Sequence, residues 1–158
     1  MDEVPDLLPV EPGYKNVLRV RLALVWLFIA GAALIAAYVL AEETLFAAAL
    51  PILALVTGVL VVAVAPVRSY RRLRYGLSDR LLQVVRGWLF HTDTVVPLVR
   101  VQHLDVVRGP LDKMFGTASL VVHTAGTHNS IVTVPGLAPD RAAAMRDIIR
   151  EHVRTDFA

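Results

Sequence analysis

The chain has 158 residues, 56% of them hydrophobic and 19% charged, with a formal net charge of +2 and no cysteine. That apolar fraction lies above the norm for soluble domains. The missing cysteine excludes a disulfide framework, thiolate catalysis and a cysteine-based zinc site, and so small a net charge gives no reason to expect a nucleic-acid partner.

Residues 1–13 are acidic and proline-rich, carrying Asp2, Glu3, Asp6 and Glu11 together with Pro5, Pro9 and Pro12. This composition predicts an irregular cytosolic tail over 1–15. Two apolar runs follow, residues 22–41 and 45–67, separated only by Glu42, Glu43 and Thr44, and neither contains a charged residue. A helix rises about 1.5 Å per residue and the hydrocarbon core is about 30 Å thick, so about 20 apolar residues cross it. Lipid offers the backbone no hydrogen bonds, so each run is expected to be a helix and the pair a transmembrane hairpin over 16–68. A cleaved signal peptide is the competing reading of the first run. Pro5, Pro9, Pro12 and Gly13 ahead of it, and its long apolar core, argue against that.

Ala32 and Ala36 recur four apart, as do Ala33 and Ala37, a spacing that lets a second helix approach closely. Thr57 and Gly58 either mark that contact or are ordinary membrane-helix residues. Pro51 falls in the first turns of the second span, and Pro66 is expected to help stop it. Tyr14 and Trp26 are placed near the interface, with Arg19 and Arg21 able to reach toward headgroups. Lys15, Arg19 and Arg21 flank the first span, and Arg68, Arg71, Arg72 and Arg74 follow the second, whereas the loop between carries only Glu42 and Glu43. The positive-inside rule then puts both termini in the cytoplasm. The cluster Arg68, Arg71, Arg72 and Arg74 reads as a topology anchor and, more sharply, as an anionic-lipid contact worth about 1 kcal/mol per charge.

Beyond the hairpin, short runs of Val, Leu and Thr alternate with turn residues. Strands are expected over 72–77 and 81–86, with Ser78-Asp79 between them and a reversal at Gly87. Further strands are expected over 88–96, ended by Pro97, and over 99–107, ended by Gly109-Pro110. Residues 111–115 read as one helical turn released by Gly116. Strands over 118–123 and 130–134 enclose a turn at 125–129. From Pro139-Asp140 the period changes to that of a helix. Ala142, Met145, Ile149 and His152 or Val153 form its apolar stripe, and Arg141, Arg146, Arg150 and Arg154 face water. Strands followed by one amphipathic helix give an α+β class, with the helix covering an open end of a small antiparallel sandwich or barrel over 69–158.

The polar residues do not compose a catalytic set. Of the five histidines, His123 and His128 flank one turn, and Asp93 and Asp105 are the nearest carboxylates; surface polar histidines account for this better than a metal site. Ser78 and Asp79 with a histidine lack a nucleophile elbow, and the chain has neither HExxH nor a phosphate loop. Neither span carries an acid, His or Lys for an intramembrane proton path. No enzymatic activity, cofactor or metal is expected.

The order of motifs from Tyr70 to His152 resembles the YdbS-like family of bacterial membrane proteins with a pleckstrin-homology-like (PH-like) domain. The residues that carry the match are 75–79 (YGLSD), Gly87-Trp88 and 96–102 (VPLVRVQ), then Gly109-Pro110-Leu111, 115–118 (FGTA), Thr124-Ala125-Gly126 and Gly136-Leu137. One departure is Lys113, where the family usually has Arg, which removes a planar bidentate contact there. The resemblance implies two packed antiparallel sheets of about seven strands capped by a C-terminal helix. Six strands are legible here, and the seventh is expected from the splitting of a longer segment. Pro97, Arg100, Gln102, Gly109, Pro110, Leu111, Phe115, Gly116, Thr124, Ala125 and Gly126 are then mainly fold determinants. Phe115 is expected to plug the core, and Arg100 and Gln102 to contact Asp105, Asp112 or a partner.

The resulting expectation is a non-catalytic, membrane-anchored interaction or scaffold protein in the bacterial inner membrane. Its partners would be membrane lipids and either another protein or its own copies in a homo-oligomer, and no nucleic acid. The alternatives are an accessory subunit of a membrane transport or export assembly, in which the hairpin makes the critical contacts, and an anionic-lipid sensor.

Overall fold

The computed structural model describes residues 5–39, 45–125 and 130–156. Two long helices, α1 (Gly13–Val39) and α2 (Leu45–Arg72), pack along one another as the expected hairpin. Their lipid-facing side chains, among them Leu27, Phe28, Leu34, Leu53 and Leu60, are exposed because nothing but lipid would cover them. The Glu42-Glu43-Thr44 connection lies outside the described residues.

Gly58 settles the contact left open by the sequence. A Cβ there would lie 3.2 Å from the Trp26 ring, so Trp26 packs against Gly58 between the two spans. Thr57 does not bridge the spans; its hydroxyl donates back to the Leu53 carbonyl at 2.7 Å. Nor does Pro66 end the second helix. Proline removes one backbone donor, but Ala65 and Pro66 are buried and Leu73 packs in the domain core just past the helix end. That packing carries α2 on to Arg72.

Among the described residues, the domain has seven strands in two antiparallel sheets. The strands are β1 (Leu8–Pro9), β2 (Arg74–Leu77), β3 (Leu81–Arg86), β4 (Thr92–Pro97), β5 (Val101–Val107), β6 (Ala118–Thr124) and β7 (Ile131–Leu137). The first sheet has the order β1-β2-β3-β4 and the second β5-β6-β7. A single 3-10 turn, Leu98–Arg100, joins the sheets, and a one-turn helix α3 (Pro110–Met114) joins β5 to β6. The last described element is α4 (Pro139–Asp156), whose Ala142, Met145 and Ile149 seal the core as the helical stripe requires. The side chain of Arg154 lies outside the described residues.

The seventh strand does not come from splitting a longer one. It comes from the segment ahead of the hairpin, which was expected to be an irregular tail. Leu8 pairs with Tyr75 and Pro9 with Arg74, and the Glu11 N–H donates to the Gly136 carbonyl of β7 at 2.7 Å. A proline is tolerated because β1 is an edge strand. Val10, Tyr14 and Val17 are then buried in the domain core together with Leu82, Leu120, Val134 and Leu137. Tyr14 is therefore a core residue of the domain, not an interfacial anchor. The membrane hairpin is an insertion between two adjacent strands of one sheet.

Tyr75 links these parts, with its ring 4% exposed under the N-terminal segment and the Arg141 guanidinium 5.9 Å from the ring centroid. Burial pushes its phenol above the ordinary value of 10.0, against the opposing pull of Arg141. A raised pKa favours the folded state while the phenol is protonated. That stabilisation is complete below the unfolded-state value and is lost as pH rises through the folded one. Stability should therefore fall above about pH 10, and Tyr75→Phe should flatten that alkaline limb in thermal melts of the purified protein across pH.

Candidate functional site

Where the two helices leave the apolar stretch, each meets one loop of the domain. On α2, Arg68, Arg71 and Arg72 are all exposed on the turns that follow the last apolar residue, and Arg74 is exposed at the start of β2. The Arg68 guanidinium lies 5.9 Å from the Trp88 ring centroid, within cation–π range. Arg72 donates to the Trp88 carbonyl at 3.4 Å. The basic cluster is thus joined to the loop between β3 and β4. That loop was expected to be the start of a strand, but β4 begins only at Thr92, and residues 88–91 form an exposed tip.

On α1, Arg21 lies 3.7 Å from the buried carboxylate of Asp112 in α3. The motif around α3 is built on that carboxylate. Asp112 accepts the Gly109 N–H at 3.1 Å and the Thr117 hydroxyl at 2.9 Å, while the Thr117 N–H donates to the Asp112 carbonyl at 2.8 Å. Pro110 opens the turn where a missing N–H costs nothing, Leu111 and Phe115 pack against the core, and Gly116 adopts φ 66°. These motif residues build the turn around Asp112. Lys113 is exposed, and its own N–H closes the turn onto the Gly109 carbonyl. Asp112→Ala strips one buried and one half-buried donor of their acceptor and should destabilise the domain by about 2–3 kcal/mol; Asp112→Asn should lose less, as read by thermal melting in detergent.

The remaining motif residues serve the corner between the sheets. Pro97 closes β4, and the Arg100 carbonyl accepts the Ala125 N–H at 2.9 Å. Thr124 donates its N–H to Ser130 across the end of β6 and β7. Gly126 and His128 lie outside the described residues. The side chains of Arg100 and Gln102 are exposed, and Asp112 is engaged instead by Gly109, Thr117 and Arg21.

Two histidines meet on the second sheet. His103 and His123 face each other across β5 and β6, with ring centroids 5.7 Å apart. Both reach Asp105, at 3.0 Å and 3.4 Å. Strand register thus brings His123 to a residue twenty positions earlier, a pairing that sequence spacing does not show. This cluster is exposed on a sheet surface, and among the described residues no three His, Asp or Glu have a geometry fit to hold a metal ion. Ser78 and Asp79 make the expected turn, with the Leu81 N–H donating to the Ser78 hydroxyl at 3.3 Å. That turn borders an open groove of about 810 Å³ between the N-terminal segment and α4, lined by Pro5, Tyr75, Arg80, Arg141 and Ile148.

Two apolar helices thus stand ahead of two antiparallel sheets and a capping helix. The bacterial PH domain family matches residues 17–153, most of the chain and both spans. The chain belongs to that family. It is 32% identical over 100 residues, 63% of its length, to the UPF0699 transmembrane protein YdbS of Bacillus subtilis (strain 168). The matched region spans 61% of that relative's own length. No solved structure matches significantly. The protein is therefore a YdbS-like membrane protein with a bacterial PH-like domain, and its family is not a known enzyme family.

Proposed function

We propose that the protein is a non-catalytic, membrane-anchored interaction module that works at the cytoplasmic face of a bacterial inner membrane by associating with its own copies. The observation that carries this reading is the state of the sheet edges. Among the described residues, β4 pairs only with β3 and β5 only with β6, so each sheet keeps a long edge strand with no strand partner on its outer side. At the other ends of the sheets, β2 is paired by the two-residue β1, and β7 accepts one hydrogen bond from the Glu11 N–H. An unpaired strand is a ready template for another chain. Val95 on β4 and Val107 on β5 are about half exposed, with Val99 between them, so the unpaired edges also offer apolar side chains. The exposed basic residues Arg68, Arg71, Arg72 and Arg74 favour the cytoplasmic side by the positive-inside rule.

The unaltered protein in mild detergent should show an oligomeric mass that Val95→Lys with Val107→Lys shifts toward the monomer. A monomeric mass over a wide range of protein concentration would contradict self-association. Sidedness is tested separately. A thiol at Val99→Cys should resist a membrane-impermeant reagent in intact cells and react once they are permeabilised.

A further inference from the structure

We propose that the tip of the β3–β4 hairpin, Trp88-Leu89-Phe90, inserts into the interfacial layer of the same leaflet from which α2 emerges. It would thereby form a third membrane contact that sets the tilt of the domain. Trp88 is 39% exposed, Leu89 70% and Phe90 78%, three consecutive large apolar side chains at the end of a hairpin. Water-facing turns carry polar residues, and a contiguous apolar tip marks a binding surface.

Position on α2 identifies what covers it. Arg68 is the first charged residue after the apolar run, and Arg72 follows one helical turn later, about 6 Å along the axis. Trp88 is held by both, its ring against Arg68 and its carbonyl on Arg72. The layer between hydrocarbon core and water is about 5–8 Å deep on each side. Trp88 therefore lies at headgroup depth, where tryptophan is enriched at membrane boundaries. The neighbouring cations Arg68, Arg71 and Arg72 are exposed and suit an anionic lipid surface.

The tip also closes tightly on itself. Gly87 adopts φ 110°, and a Cβ there would fall 1.6 Å from the Phe90 carbonyl oxygen, so residues 87–90 close as a tight turn that only glycine permits. A preset loop presents Leu89 and Phe90 with little ordering cost on contact. This surface lies at the opposite end of β4 from Val99 and is distinct from the sheet edges proposed for association. The inference stands whichever face of the membrane the domain occupies.

The native chain has no cysteine, so single thiols report cleanly. Leu89→Cys and Phe90→Cys would each be labelled with bimane in the full-length protein. The labelled proteins would be reconstituted into vesicles of phosphatidylcholine and phosphatidylglycerol, with or without bromine on the acyl chains. Bromine quenches only a label in contact with lipid. The label at 89 or 90 should be quenched several-fold more than one at Val99→Cys. Equal quenching at the three positions overturns the proposal. So does a label at 89 and 90 that escapes bromine but is shielded more as protein density in the bilayer rises, because a second copy then covers the tip.

Discussion

Residues 69–158 expressed without the preceding chain should fail to form a native, monomeric domain. That fragment holds six of the seven strands and α4. It lacks β1, so the edge of β2 is left bare, and it lacks Val10, Tyr14 and Val17, which fill the core. Burying each such side chain contributes about 1.5–3 kcal/mol. Three of them together approach the whole stability of a small domain, about 5–15 kcal/mol. The fragment should therefore bind a hydrophobic dye, exchange its amides rapidly and associate through β2. A chain in which residues 5–21 are joined by a short flexible linker to residue 66 should regain slow exchange in β2 and β3. A fragment 69–158 with dispersed NMR signals and strongly protected amides would contradict the reading that the domain is completed from before the hairpin.

Gly136→Ala should cost about 2–5 kcal/mol, combining backbone strain with overpacking. Gly136 adopts φ 74°, and a Cβ built there lies 2.6 Å from Cγ of Tyr14. The ring cannot retreat, because Tyr14 sits at the start of α1 with Val17 buried one turn later. Tyr14→Ala removes the steric part and leaves the strain of a left-handed alanine. The two substitutions should then be less than additive when combined. Melting temperatures of the single and double variants in one detergent check this. Strict additivity would mean that Tyr14 and β7 are not in contact.

What was legible in the chain follows the strength of each physical signal. The spans are announced by long uncharged runs, and α4 by apolar residues at helical spacing with arginines on the other face. The Ser78-Asp79 turn and the α3 motif were legible because turn chemistry is local. The β1 strand was not, because two residues including a proline carry no strand periodicity and their partner lies more than sixty positions away. Trp88-Leu89-Phe90 reads as strand because large apolar side chains signal burial, and only the tertiary setting beside Arg68 shows them exposed. Asp112 was weighed as a possible partner of Arg100 or Gln102 rather than as the buried acceptor of Gly109 and Thr117. Its cue, an acid three residues after Gly109 and five before Thr117, becomes meaningful only when α3 turns back on itself. The pairing of His103 with His123 likewise depends on register, which sequence spacing does not supply.

The central claim is that the segment before the hairpin is a strand of the domain after it, so that both spans grow from one sheet and hold it against the membrane. Pro9 and Arg74 are direct antiparallel partners and both are exposed. Opposed residues of such a ladder lie about 4.5–5.5 Å apart at Cα, within disulfide range. Pro9→Cys with Arg74→Cys, oxidised in native membranes, should give the disulfide-linked peptide by mass spectrometry, as the internal pair Gln83→Cys with Val95→Cys should across β3 and β4. Formation of the second link without the first, with the thiols at 9 and 74 still free, would contradict the account.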